Sequence, residues 1–328
     1  RYGLVGSEMC IRDRILIIFV GCNIDKSHKI NINDFHEVIS VNDAKALSDS
    51  IIDWEENHEV FLEFFSNYII RNNDDFLSSL ISFKNDTLIE ETNDSISLFL
   101  NKNEDEIYDE ISYSLNKFYG FFPSLTQTKV YIYNSGFNYG IISYDDIVAI
   151  GLDNYLNENS KFYKMLSVPD YLRKYKSKRY ITANLIEVIF NSYFQEYYNR
   201  NNFLSSLIYK GKIMYVIEKC SKNSKEVNFS YTNEEYLWCE KNEFQIWNFF
   251  IENNLIFSNN QNNLRSYLDY SPFAKGMPQE SPGRIAYYVG YKIFKKYAQK
   301  YKNKTLFELI TETDENKILS ESKYRPKK

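Results

Sequence analysis

Histidine is nearly missing from this 328-residue chain: there are three, His28, His36 and His58, and none follows position 58. A serine–histidine–acid triad or a histidine-built zinc centre therefore cannot be assembled from residues 59–328. Glycine is scarce as well, 11 in all, and no phosphate-cradling or dinucleotide-binding glycine pattern is present. Of the four cysteines, only Cys220 and Cys239 lie in the C-terminal half, too few for a closed structural metal site. They leave open a disulfide in an oxidising compartment or two reduced, buried thiols. An excess of positive charge is also lacking: 39 Lys+Arg stand against 44 Asp+Glu, a net charge of −5. That balance argues against a nucleic-acid partner. The composition gives no reason to expect a metal or a cofactor.

What the chain does have is apolar and aromatic mass. It is 44% hydrophobic, with 29 Tyr and 24 Phe, enough for a large core. The N-terminal part divides before any fold begins. Residues 1–14 are set aside, because Leu4–Arg14 resembles a translated sequencing adaptor. Residues 15–22 read as the remnant of a signal peptide: an apolar run, too short to span a bilayer, that ends Phe19-Val20-Gly21-Cys22. This ending resembles a bacterial lipobox, which implies that Cys22 is lipidated and anchors the chain at a membrane. Residues 23–40 read as a polar tether, and 41–325 as a single α+β domain. Asn23 and Ile24 after the cysteine, with no acidic run, favour a periplasm-facing anchor in the cell envelope.

Periodicity sets the fold class. Phe61, Phe64, Phe65, Tyr68 and Ile69 share one helical face, and Ile107, Ile111, Tyr113, Leu115 and Phe118 suggest a second long helix. Short β-rich runs follow at 130–133, 139–143 and 147–152, predicting a small antiparallel or mixed sheet. Helical spacing returns over 183–198, 203–219, 233–253 and 284–302. The expectation is a mostly helical α+β protein with a sheet of three to four strands.

The best candidate for partner recognition is the Pro/Gly loop Pro272–Arg284. Its Glu280 and Arg284 bring opposite charges to a helix start, either for a partner or as an internal pair; Ser281 and, on a neighbouring helix, Lys212 complete the candidate set. Trp238, Trp247, Phe249 and Phe250 form an aromatic stripe suited to core packing or to a partner groove.

Several segments together resemble the gliding-motility lipoprotein GldB family of the Bacteroidota. They are Lys129–Tyr133, Ile150–Leu156, Ile208–Tyr215, Trp238–Asn253, Pro272–Arg284 and the tail Ser322–Lys327. The resemblance implies an envelope lipoprotein required for gliding, linked to type IX secretion and partnered by other gliding or secretion proteins. It implies no biochemical activity. More distantly, the element order is similar to zincin-like metallopeptidases, which carry His-Glu-x-x-His on a helix. With Glu187 at the Glu position, Ile186 and Phe190 replace the two histidines, and Lys210 stands where a later Glu ligand often lies. These degenerate metal-site positions imply a non-catalytic descendant. The alternative is an envelope hydrolase whose site is built from carboxylates such as Glu187 and Glu218.

Overall fold

The computed structural model describes residues 30–71, 75–200 and 202–327. The adaptor-like start, the signal remnant and Cys22 lie outside the described residues.

The first element comes from the stretch expected as tether. Strand β1 (Ile32–Asp34) pairs parallel with the second strand, and Asp34 then caps helix α1 (Phe35–Ile39) by accepting from the Glu37 N–H. Phe35 and Ile39 are fully buried, so the fold includes residues assigned to the tether from Ile32 onward. Four further helices follow: α2 (Ala44–Asn57), α3 (Glu59–Phe64, continued by a π-helical turn to Ile70), α4 (Phe76–Lys84) and the 35-residue α5 (Thr87–Phe121).

The sheet is completed by β2 (Lys129–Tyr133), β3 (Ile141–Tyr144) and β4 (Ile147–Gly151). Its order is β1-β2-β4-β3, with β1, β2 and β4 parallel and β3 an antiparallel edge. The alternation of strand side chains divides the core. Val130, Ile132, Val148 and Ile150 face one hydrophobic layer, whereas Tyr131, Tyr133, Ile147 and Ala149 face the other. The second layer is the aromatic N-terminal lobe, where Phe35, Trp54, Phe61, Phe64 and Phe65 pack against Tyr131 and Tyr133. Central strands covered on both faces read as unbroken apolar runs, as 147–150 does.

Beyond the sheet come two short helices, α6 (Lys161–Met165) and α7 (Asp170–Arg173), and then α8 (Ile181–Phe194) and α9 (Phe203–Cys220). The aromatic segment 233–253, expected as one helix, is two. After α10 (Lys225–Asn228), α11 (Asn233–Lys241) opens with a Thr232–Glu235 capping box, and Asn242 separates it from α12 (Glu243–Glu252). Of its stripe, Phe250 is fully buried, while Trp238, Trp247 and Phe249 pack half-buried on the core. Helices α13 (Gln261–Leu268), α14 (Ile285–Lys300), α15 (Leu306–Ile310) and α16 (Glu315–Ser322) complete the chain.

Helices α9 and α14 form the most intimate contact in the molecule. Gly211 and Gly290 face each other where they cross, and a Cβ on Gly290 would sit 1.8 Å from the Leu207 carbonyl oxygen. Only two glycines allow these backbones to touch. The protein is thus a mostly helical α+β fold with one small mixed sheet. Among the described residues no helix is long and apolar enough to cross a membrane.

Candidate functional site

Three helices meet at a charged cluster on the sheet side of α8. That helix buries Leu185, Ile186, Ile189 and Phe190 and turns Asn184, Glu187 and Val188 towards a cavity of about 530 Å³. Positions three and four apart share a helix face. Ile186 and Phe190 therefore lie in the core, away from the cavity that Glu187 lines; these two degenerate metal-site positions have no part in the site.

Glu187 is clamped from two sides. Its Oε2 accepts from Arg284 at 2.7 Å, and its Oε1 accepts from the Tyr287 hydroxyl at 2.6 Å and faces Lys210 Nζ at 3.4 Å. Lys210 comes from α9, Arg284 is the N-cap of α14, and Tyr287 lies three residues further on. Burial alone would raise the Glu187 carboxyl, but Arg284, Lys210 and the Tyr287 hydroxyl together bring it down to about 2. Burial opposes the charge on Lys210 too, yet Tyr287 and Glu187 hold its ammonium above the usual range. One carboxylate and two cations leave this cluster with an excess positive charge.

Arg284 is held with unusual firmness. Its backbone is left-handed, φ 56°, a conformation costly outside glycine and kept only when the surroundings impose it. Its N–H donates to the Asp269 carbonyl and its own carbonyl accepts from the Tyr231 hydroxyl, both at 3.0 Å. The guanidinium is sandwiched between the Tyr270 and Tyr287 rings, at 4.5 and 4.0 Å from their centroids, and donates to the Tyr270 hydroxyl.

A second recess of about 180 Å³ adjoins the first, and the two share Tyr155, Asn184 and Tyr270. Gly140, Asn154, Leu172, Tyr175 and Lys176 complete its lining. Asn184 donates to the Tyr155 hydroxyl at 3.1 Å, and Lys176 donates to Asn154. The result is one cleft, walled by tyrosines and bordered by the start of β3.

The expected recognition set is placed differently. Arg284 pairs with Glu187, 97 positions away, and not with Glu280, which is exposed on the loop. Ser281 is 1% exposed; its hydroxyl donates to the Pro278 carbonyl and accepts from the Ala274 N–H, closing the loop on itself. Lys212 is 2% exposed, donates to the Glu312 carbonyl at 2.6 Å, and is brought down to about 8 by burial. Neither presents its polar head to a partner. Cys220 and Cys239 are free and buried, and burial pushes both thiols up. Tyr155, Lys176, Asn184, Tyr270 and Tyr287 were not foreseen. The sequence holds 29 tyrosines, and only the i, i+3 spacing of Arg284 and Tyr287 at a helix start hinted that two of these groups act together.

A divalent metal does not fit this cluster. Both Glu187 oxygens are taken, and the neighbouring charged groups are an ammonium and a guanidinium that would repel it. Glu218 is bound instead to Tyr291 and Lys295, two turns further along α9, and does not line the cleft.

Fold and cleft define a mostly helical α+β protein whose buried carboxylate is locked by cations at the meeting of three helices. A family model described as gliding motility protein GldB matches residues 22–326. The chain belongs to that family, and is thereby a gliding-motility lipoprotein of the cell envelope. No curated protein and no solved structure matches it.

Proposed function

We propose that the chain is a non-catalytic binding and assembly component of the gliding apparatus, and that this apparatus is tied to type IX secretion. The state of Glu187 supports the reading. General acid–base work at neutral pH calls for a carboxyl tuned towards that pH. This one is driven the opposite way, to about 2, with both oxygens engaged. The cleft around it is preorganised and tyrosine-lined, as a recognition site is. Diacylated Cys22, where the family match begins, holds the domain at the membrane, facing the periplasm.

Three measurements test this. A photo-crosslinking residue at the exposed rim position Asp269, in gliding cells, is expected to give a discrete adduct with another envelope protein. Labelling with a palmitate analogue is expected to disappear in Cys22→Ala. Stoichiometric zinc in the purified chain, lost in Glu187→Ala together with a peptidase activity, overturns the non-catalytic reading and favours the hydrolase.

A further inference from the structure

The antiparallel edge of the sheet borders the cleft, and its hydrogen-bonding pattern shows which backbone groups are spare. Gly151 donates to the Gly140 carbonyl at 2.8 Å, so residues 140 and 151, directly opposite in register, form a hydrogen-bonded pair. Antiparallel pairs alternate. Gly140, Ile142 and Tyr144 therefore spend their backbone groups on β4, and the N–H and C=O of Ile141 and Ser143 point outward. Among the described residues these four groups have no hydrogen-bond partner. Ile141 itself lines the larger cavity, and Gly140 the smaller.

The charge in the cleft is unevenly answered. Arg284 and Lys210 share Glu187, and Asp269 faces Arg265 at 3.5 Å. Lys176 has no carboxylate at ion-pairing distance among the described residues; its Nζ donates to the neutral Asn154 side chain. It is half-buried, and burial lowers its affinity for its proton against the partial help of Asp153. A half-buried ammonium beside an open strand edge lacks the anion that would complete it.

We propose that the cleft binds the C-terminal end of an extended peptide, added antiparallel to β3, with its terminal carboxylate against Lys176. The direction follows from charge. A strand antiparallel to β3 runs from the Tyr144 end towards Gly140 and delivers its C-terminus to the Lys176 recess. A parallel strand would bring an ammonium there instead. Strand addition supplies hydrogen bonds that any sequence can make, and alternate side chains then choose the partner. One of these enters the cavity beside Ile141, Val188, Leu268 and Tyr270, which suits an apolar or aromatic residue. This inference rests on the non-catalytic binding reading and names the class of partner for it.

The test uses the full chain and arrays of randomised hexapeptides presented in three forms: free carboxylate, C-terminal amide, and free carboxylate with N-methylated backbone. The free-carboxylate array is expected to retain at least tenfold more protein than either of the others, with Lys176→Met removing its advantage over the amide. The melting temperature of Lys176→Met checks that it is folded. Equal retention of acid and amide arrays overturns the terminal-carboxylate assignment, and equal retention of the N-methylated array overturns strand addition. Retention on no array overturns the peptide proposal alone, provided that the Asp269 crosslink to an envelope protein persists. Cleavage of the peptides would instead sink the non-catalytic reading.

Discussion

Glu187 sits opposite two cations, so removing it does more than delete a contact. Arg284, only 5% exposed through its side chain, and Lys210 would be left without a buried counter-charge. Glu187→Ala is expected to cost about 3–5 kcal/mol, the usual scale for stranding one partner of a buried pair. Glu187→Leu combined with Arg284→Met is expected to cost clearly less than the sum of the two single changes. Chemical denaturation of the four proteins checks this; additive values would show that the pair is not coupled. Acid lability is a related expectation at two residues. His36 is buried, its Nε2 hydrogen-bonded to Ser97 at 3.0 Å, and burial brings it from 6.5 down to about 4. The unfolded chain therefore takes up this proton first. Stability that is complete above pH 6.5 falls by about 3 kcal/mol as the pH drops to 4. Glu187, with its folded value near 2, adds a second loss of similar size between pH 4.5 and 2. Asp34, lifted from 3.8 to about 6 by burial, works in the opposite sense over this range, so the readout is a difference: melting temperatures from pH 7 to 4 should drop further, or rise less, in the native chain than in His36→Gln. An equal slope in the two would remove His36 as the cause.

Among the elements, the α9–α14 crossing is where sequence and structure meet most tightly. Gly211 and Gly290 fall within the segments 203–219 and 284–302 expected as helical, where glycine sits at a cost unless backbones must approach, but the sequence singles out neither as a contact. Their partnership was not legible, because 79 residues separate them. A methyl on Gly290 would overlap the Leu207 carbonyl, and one on Gly211 would lie 2.2 Å from the Gly290 oxygen. These obstacles are backbone atoms, so the helices themselves must move apart. Gly290→Ala is expected to destabilise by more than about 3 kcal/mol, beyond ordinary overpacking, although alanine is the better helix former. Thermal unfolding checks it; a neutral or stabilised variant would show that the crossing can open freely. The same movement would pull Lys210 and Tyr287 apart, because they lie on the two helices beside the glycine pair. Gly290→Ala should therefore also weaken any ligand that the cleft holds.

At the scale of the whole molecule, what the sequence disclosed follows the strength of local periodicity. The two parallel strands 130–133 and 147–151 were readable because burial on both faces made them continuous apolar runs, and the long helices because their apolar faces repeat over many turns. The cluster at Glu187 was half readable: Glu187 and Lys210 drew attention together as degenerate metal-site positions, and Arg284 separately as a charge of the Pro/Gly loop. Pairing across 97 positions leaves no local trace. The N-terminal boundary was hidden for the opposite reason, since β1 has three residues and is polar at two of them, and only the register with Val130–Ile132 gives it meaning. That boundary carries a consequence. Phe35 packs edge-on against Phe61 and Phe65 at 4.9 Å from each centroid, beneath the strand that covers the open edge of β2. A chain begun at residue 41 therefore loses a strand, exposes the edge of β2, and leaves a phenylalanine- and isoleucine-sized void in the aromatic lobe. Large-to-small changes at one such aromatic site cost about 3–5 kcal/mol by themselves, so this chain is expected to unfold its N-terminal lobe or aggregate through the bared edge. One begun at residue 30 should fold normally. Hydrogen exchange separates the cases: loss of protection confined to 44–84 and β2 in the shorter chain is the expected result. Equal protection in both would show that β1 and α1 rest on the domain without supporting it.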